Sequence, residues 1–418
     1  MNVYRPIRTV EANGRTYRIP STPTVVVCID GSEPGYIEAA IEAGLAPNLG
    51  RIMREGTSTT ALSAMPSFTN PNNISIITGR PPIVHGIAGN YFYDRAAGEE
   101  VMMNDARFMR TGTIMQALQA GGAKVAVVTA KDKLRTLLGY GLDYGSGTAV
   151  AFSSEKADKV SPAENGIADA LGLTGMPVPD VYSQELSGFV LAAGVRLLEM
   201  MRPDVMYLST TDYVQHKAAP GSEFANRFYA MLDHHVGALD KAGAVVVLTA
   251  DHGMNDKHKA DGSPDVIYLQ DLMDGWLGAG VARVILPITD PYVVHHGALG
   301  SWATVYLPDG ADRPALLAKL RALDGVEVAL DSPEACARFE LPADRIGDLV
   351  VISTRHKVLG TSAARHDLSG LTEPLRSHGG LTEQTVPMIA NRKVAFRGGH
   401  TLRNFDVFDV ALNLVQAP

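Results

Sequence analysis

Short runs of β-branched and apolar residues recur along the first 250 residues, and each is followed by a stretch with helical spacing. This alternation predicts a largely parallel sheet with helices on both faces. The predicted strands lie at 24–30, 124–130, 205–210 and 244–251. The predicted helices carry apolar stripes at helical spacing, which are Ile37, Ala40, Ile41 and Leu45 in one helix and Phe224, Phe228, Met231, Leu232 and Leu239 in another.

The pattern changes near residue 257, and the expected fold class is therefore α/β with an inserted smaller unit of α+β type. Strand-like runs at 281–288, 302–307 and 349–353 alternate with helices such as 313–323, an order that predicts a βαβ-type module. We call residues 257–375 the cap. The catalytic core then comprises residues 1–256 and 376–418.

Polar residues end each predicted core strand, and ligands of open α/β sheets collect outside the carboxyl ends of the strands. Four strands therefore deliver chemically active side chains to one edge, where we expect the site. These side chains are Asp30, Lys131, Thr211 with Asp212, and Asp251 with His252.

Several of these residues have the composition of metal ligands. Asp212 and His216 are four positions apart, which puts both on one face of a helical turn. A strand-end Asp-Gly is by itself more often only a turn, but the full set of three carboxylates and three imidazoles suffices for two sites that suit zinc better than magnesium. Two ions about 4 Å apart form a clamp for displacement at phosphorus. The set is Asp30, Asp212, His216, Asp251, His252 and His378.

Other histidines have weaker claims. His234 and His235 lie in a predicted helix without a ligand partner at useful spacing, so we interpret them as surface or packing residues. For His295 and His296, in the cap, contact with the substrate is left open.

A nucleophile is predicted at Thr69. Asn70-Pro71 is a helix-start signal and Gly79 a stop, so Thr69 precedes a helix N-terminus, where free amides favour negative charge. Metal coordination would activate its hydroxyl. The alternative is that Thr69 only caps the helix. Farther along, the Asn90 amide is a candidate stabiliser of a phosphoryl oxygen.

Composition narrows the function classes. The 418 residues are 46% hydrophobic and 20% charged with a net charge of −8, which argues against disorder and against a broad nucleic-acid surface. Two cysteines imply no disulfide framework. No apolar run has the length of a signal peptide or a membrane span, so we expect a cytoplasmic protein without a membrane partner. A homodimer is left open.

The motifs together resemble the alkaline phosphatase superfamily, in particular its nucleotide pyrophosphatase/phosphodiesterase-like branch. They occur in the order typical of that branch and cover most of the predicted core, which the resemblance implies is alkaline phosphatase-like. The motifs are Thr69-Asn-Pro-Asn72, Thr78-Gly79-Arg80, His85-Gly86 with Asn90, Asp212 with His216, Asp251-His252-Gly253-Met254, and His378-Gly379.

The resemblance also implies a ligand assignment and a substrate. Asn90 would hold the phosphoryl group, which His216 and His378 would also adjoin. Length, cap and the segment 129–133 look most like branch members that cleave carbon–phosphorus bonds, which implies phosphonoacetate as a small-molecule substrate and a phosphothreonine intermediate. One zinc ion would be held by Asp212, His216 and His378, and a second by Asp30, Asp251, His252 and the Thr69 oxygen.

Lys131 and Lys133 fit that chemistry, since an acetate carbanion leaving phosphorus needs nearby cations for its enediolate charge. The alternative interpretation is that both lysines only belong to a solvated loop at the end of the strand. One rival function is ester hydrolysis, for which a nucleotide substrate would want an aromatic slot. Candidates for that aromatic slot are Phe68, Tyr91, Phe92 and Tyr93. The other rival function is a metal- or phosphate-binding protein without turnover.

Overall fold

Strands rich in valine form the centre of the fold, because a strand buried on both faces favours apolar side chains at successive positions. The computed structural model describes residues 8–289, 297–369, 371–399 and 401–416. Over these residues the strands in chain order are β1 (Thr9–Ala12), β2 (Arg15–Arg18), β3 (Thr24–Cys28), β4 (Thr57–Leu62), β5 (Tyr91–Asp94), β6 (Glu99–Met102), β7 (Val125–Thr129), β8 (Ala149–Ser153), β9 (Val205–Ser209), β10 (Val245–Thr249), β11 (Asn255–Asp256), β12 (Val266–Tyr268), β13 (Arg283–Ile285), β14 (Trp302–Tyr306), β15 (Val326–Asp331), β16 (Leu349–Ser353), β17 (Val358–Gly360), β18 (Arg376–Ser377) and β19 (Thr385–Ala390).

The central sheet has seven strands in the order β4-β19-β10-β3-β9-β7-β8. From β10 to β8 all neighbours are parallel, whereas β19 runs antiparallel to both β10 and β4. In register, Cys28 lies beside Thr249 on one side and Ser209 on the other. The four predicted core strands and the largely parallel sheet are confirmed, while β4, β8 and β19 were not predicted.

Helices cover both faces of this sheet, as predicted. Val25 and Val27 of β3 join the apolar cluster under one layer of helices, and Val26 and Cys28 join the cluster on the opposite face. Leu45 departs from the predicted stripe, because it lies beyond the end of its helix and is 45% exposed. The helices are α1 (Pro34–Glu42), α2 (Pro47–Glu55), α3 (Thr69–Thr78), α4 (Pro82–His85), α5 (Ile114–Ala120), α6 (Asp132–Leu138), α7 (Pro162–Asn165), α8 (Ala170–Thr174), α9 (Glu185–Met200), α10 (Tyr213–Lys217), α11 (Glu223–Lys241), α12 (Leu269–Leu277), α13 (Arg313–Arg321), α14 (Ser332–Phe339) and α15 (Val407–Asp409). Within the described ranges, none of them is both long and apolar enough to cross a bilayer.

A second sheet, with the order β13-β14-β16-β15, lies within the stretch that we call the cap. Its neighbours are all antiparallel. Because β14 and β15 both oppose β16, they run in the same direction and α13 crosses between them. β16 enters between the two strands, so the βαβ-type module expected from the sequence takes the form of a split βαβ unit. The domain boundaries remain a prediction.

A buried ion pair fixes the chain where the cap begins. Lys257 and Glu383 have fully buried side chains, with Nζ and Oε1 2.9 Å apart. The Lys257 ammonium also donates to the Arg355 carbonyl at 2.6 Å, and the Glu383 carboxylate accepts from the Gly380 amide at 2.8 Å. Since Gly380 is two residues beyond His378, this pair ties the cap to the loop that carries a candidate ligand.

We expect Lys257→Met to destabilise the protein by about 3 to 5 kcal/mol, because the substitution leaves a buried carboxylate without its partner. Denaturant unfolding monitored by circular dichroism measures the change. The exposed pair of Arg227 and Glu223 provides the control, and Arg227→Met should cost less than about 1 kcal/mol. Equal losses for the two variants would contradict this account.

Candidate active site

The carboxyl ends of three neighbouring parallel strands bring the predicted acidic residues together. Asp30 follows β3, Asp212 follows β9, and Asp251 follows β10. Asp212 is also the residue before α10, so His216 lies one turn farther along and its amide donates to the Asp212 carbonyl at 3.0 Å. His378 directly follows β18.

Two groups of side chains could each hold a metal ion, and in each group the candidate ligand atoms lie within 4.8 Å of one another. In the first, Asp212 Oδ2 lies 2.9 Å from His216 Nε2 and 3.6 Å from His378 Nε2. In the second, His252 Nε2 lies 3.3 Å from Asp30 Oδ1. It also lies 3.7 Å from Asp251 Oδ2. The groups are Asp212, His216 and His378, and Asp30, Asp212 and His252.

The protonation of the three imidazoles follows from their backbone contacts. His216 Nδ1 lies 2.8 Å from the carbonyl oxygen of residue 376, His252 Nδ1 2.9 Å from that of residue 253, and His378 Nδ1 2.8 Å from that of residue 67. A carbonyl oxygen only accepts, so each Nδ1 carries the proton and each Nε2 faces the carboxylates. Burial, together with neighbouring His252 and His216, holds the pKa of His378 well below its usual value.

The carboxylates lie close together at the ends of the strands. Burial and the nearby charges of Asp251 and Asp212 raise the pKa of Asp30 well above its usual value. Asp30 Oδ1 is buried without a hydrogen-bond partner among the described residues. Imidazole Nε2 atoms and carboxylate oxygens that converge in this way form the mixed donor set that divalent metal ions bind. The residues present therefore fit divalent metal ions.

The helix with the predicted nucleophile starts one residue earlier than expected. α3 begins at Thr69 itself and ends before Gly79, whose φ of 67° is the left-handed conformation that glycine favours. Thr69 Oγ1 lies 3.3 Å from His252 Nε2, beside the second candidate metal group. The Asn70 amide lies 3.3 Å from Asn90 Oδ1, so Asn90 adjoins the same helix end.

A buried asparagine that was not among the predicted residues joins this helix to the strand ends. Asn73 Nδ2 donates to Asp251 Oδ2 at 3.0 Å. Its Oδ1 accepts from Tyr207 at 2.7 Å and from Ser209 at 2.8 Å, both on β9. The available signal was its spacing, because a residue four positions after Thr69 lies on the same face of a helix.

A cavity of about 210 Å³ opens on this site and brings most of the predicted residues together. Asp251 and His252 are fully buried beside it. His295 and His296 lie outside the described residues, and the rings of His234 and His235 pack against each other in α11. The predicted residues that line the cavity are Asp30, Thr69, Asn90, Lys131, Lys133, Asp212, His216 and His378.

The chain belongs to the Type I phosphodiesterase / nucleotide pyrophosphatase family, a family of hydrolytic enzymes, because the family model matches residues 24–381. Crystal structures of phosphonoacetate hydrolase from Sinorhizobium meliloti 1021, in complex with phosphonoacetate or with phosphonoformate, are 61% identical to it. Each superposes with a TM-score of 0.94, over 98% of this chain and 99% of the other.

More distant relatives share parts of the chain or the fold alone. Murine ectonucleotide pyrophosphatase / phosphodiesterase 5 is 18% identical with a TM-score of 0.63, over 95% of this chain and 96% of the other, and shares the fold. Ectonucleotide pyrophosphatase/phosphodiesterase 2 of Saccharomyces cerevisiae is 40% identical over 93 residues, which are 21% of this chain. Family member 1 of Rattus norvegicus is 25% identical over 265 residues, which are 59% of this chain. The chain spans only 19% and 25% of the lengths of these two relatives.

We expect removal of divalent cations with a chelator to destabilise the protein, by about 2.7 to 4.1 kcal/mol if the free cation had stood at 100 to 1,000 times its dissociation constant. Asp30→Asn should shrink this chelator-dependent loss, because it removes a ligand and relieves repulsion in the metal-free protein. Thermal unfolding with and without chelator measures both effects.

The control for this experiment is Asp309→Asn, at an exposed loop position. It should leave the chelator-dependent loss of stability unchanged. An equal loss in the Asp30 variant and the original protein would contradict the metal assignment.

Proposed function

We propose that this protein hydrolyses the carbon–phosphorus bond of phosphonoacetate to acetate and phosphate through a phosphothreonine at Thr69. The observation that carries the proposal is that Lys131 and Lys133 line the same cavity as Thr69 and the candidate metal ligands. One cavity thus offers a nucleophile and metal ligands for the phosphoryl end of a small phosphonate and two ammonium groups for its carboxylate. The 61% identity with phosphonoacetate hydrolase supports the same substrate.

We assign the metal ligands to two zinc ions. The mixture of imidazole and carboxylate donors favours zinc over magnesium. When bound, the two ions would supply Lewis acidity that lowers the pKa of a hydroxyl and neutralises charge on phosphoryl oxygens. Asp212, His216 and His378 would hold one ion, and Asp30, Asp251, His252 and the Thr69 hydroxyl the other.

In the first step the Thr69 hydroxyl gives up its proton to solvent, and its oxygen forms a bond to phosphorus while the carbon–phosphorus bond breaks. Thr69 is the first residue of α3, where free amides and the helix dipole stabilise negative charge. The Asn90 amide donates a hydrogen bond to a phosphoryl oxygen. His216 and His378, which line the cavity, adjoin the same end of the substrate.

The electron pair of the broken bond moves onto the carboxylate as an enediolate. Lys131 and Lys133 stabilise that charge as compact cations. Protonation at carbon then gives acetate, and hydrolysis of the phosphothreonine gives phosphate and restores Thr69.

The rival functions have less support. A nucleotide phosphodiesterase would use an aromatic slot, but none of its four candidate aromatic residues is among the described residues that line the cavity. Phe68, for example, is fully buried and packs edge-on against His378. A binding protein without turnover would not need a hydroxyl beside the metal ligands. The cytoplasmic location stays a prediction, and a homodimer stays open.

Thr69→Ala should lower the turnover number on phosphonoacetate by at least about a thousandfold, because it removes the nucleophile. Thr69→Ser keeps a hydroxyl and should retain part of the activity and a covalent phosphoserine. Acid quenching followed by mass spectrometry should detect the phosphorylated residue at position 69 in the original protein. Near-normal turnover by Thr69→Ala with its metal content unchanged would rule out the covalent step.

Lys131→Met and Lys133→Met should each lower turnover of phosphonoacetate by about 100- to 1,000-fold, since each removes a cation that stabilises the leaving group. Hydrolysis of nitrophenyl phosphate, whose leaving group is no enediolate, should change far less. Phosphate release from the two substrates is measured side by side.

Lys156→Met serves as the control for both lysine variants. Lys156 is half-exposed and pairs with Asp132 of the same α6 region, but it does not line the cavity. It should leave both activities unchanged. Equal losses on both substrates in the cavity variants, or better activity of the original protein on esters, would contradict phosphonoacetate as the substrate.

A further inference from the structure

The segment 86–90, which ends at Asn90, is held by residues of the cap on one side. The Asn90 amide nitrogen donates to the Pro287 carbonyl at 2.8 Å, and its side-chain Nδ2 lies 3.4 Å from the Ile288 carbonyl. Gly89 is in such close contact that a Cβ there would lie 2.6 Å from Pro287 Cβ. The cap backbone therefore touches both the main chain and the side chain of Asn90.

The other end of the same segment is held by Arg345, also a cap residue. Its guanidinium donates to the Gly86 carbonyl at 2.5 Å and to the Phe108 carbonyl at 2.6 Å. The Arg345 side chain is only 12% exposed, so these bonds are shielded from water. Gly86 has a left-handed φ of 87°, a conformation that glycine favours. The guanidinium therefore binds a carbonyl within this turn.

We propose that the cap positions Asn90 for catalysis, with Arg345 and the Pro287–Ile288 backbone as the two holding points. The inference rests on the proposed function, in which Asn90 holds the phosphoryl group. Arg345 is a positioning residue, since it acts through the 86–90 segment and does not line the cavity.

The contacts of the Asn90 amide explain why its position matters. Its Oδ1 faces the Asn70 amide at the start of α3, and one of its two Nδ2 hydrogens faces the Ile288 carbonyl. The second hydrogen is left for an oxygen in the cavity, which Asn90 lines. The amide thus bridges the nucleophile helix and the cap, and a shift of the cap would move its donor relative to Thr69.

Two substitutions test the inference from opposite ends of the segment. Gly89→Ala inserts a methyl group against Pro287 at a position without a left-handed φ, so the backbone itself is not strained. Arg345→Lys keeps the charge but places it on a shorter side chain, which weakens the two bonds that Nη1 donates to the Gly86 and Phe108 carbonyls. Each should lower kcat on phosphonoacetate by about 10- to 100-fold, the cost of a misplaced catalytic group, with KM changed less than about twofold.

A double-mutant cycle with Asn90→Ala separates positioning from general loosening. In the Asn90→Ala background, Gly89→Ala and Arg345→Lys should each change kcat by less than about twofold, because the group they position is already gone. Arg403→Gln is the matched control, since it breaks a different cap–core ion pair, with Glu340 at 2.8 Å, and should leave kcat unchanged.

The outcomes distinguish the inference from the function on which it rests. The positioning role is wrong, and the proposed function stands, if Asn90→Ala lowers kcat but Gly89→Ala and Arg345→Lys do not. The same conclusion follows if the losses in kcat caused by Gly89→Ala and Arg345→Lys are as large in the Asn90→Ala background. If Asn90→Ala leaves kcat unchanged, the role of Asn90 in the proposed function is wrong. Thermal unfolding checks that each variant folds. If Gly89→Ala does not fold, Arg345→Lys alone tests the inference.

Discussion

The convergence of three imidazole Nε2 atoms on buried carboxylates is the constraint on which the rest of the structure depends. Each of the three histidines directs its Nδ1 to a backbone carbonyl, which leaves Nε2 facing Asp30, Asp212 or Asp251. Burial and the neighbouring carboxylates Asp251 and Asp212 raise the pKa of Asp30, and a divalent cation bound among these groups would offset that cost. The fold thus brings together a donor set that a bound cation would stabilise, which is how a protein prepares a binding site.

The central sheet makes that arrangement rigid. Because β10, β3 and β9 are parallel and in register, their carboxyl ends deliver three carboxylates at one level. Asn73 then ties α3, which begins at Thr69, to the candidate ligand Asp251. The cap completes the site from the other side, through the Lys257–Glu383 pair near His378 and through its contacts with Asn90. Hydrogen bonds thus connect the candidate nucleophile, the candidate ligands and the cap.

Much of the core and of the site was predictable because local signals mark both. A buried parallel strand is a continuous apolar run, and the residue that ends it faces the ligand edge, which is how Asp30 and Asp251 were found. Proline and glycine marked both ends of α3. Pairings distant in sequence have no such signal: the insertion of β16 between β14 and β15, the antiparallel β19, and the bonds of Asn73 to β9 all depend on tertiary contacts.

Anomalous diffraction at the zinc absorption edge, on crystals of the protein purified without chelator, is the most direct measurement of the central claim. The account predicts two peaks about 4 Å apart. One should lie among Asp212, His216 and His378, and the other among Asp30, Asp251 and His252 next to Thr69. No peak at these side chains in a folded protein that still releases phosphate from phosphonoacetate would contradict the account.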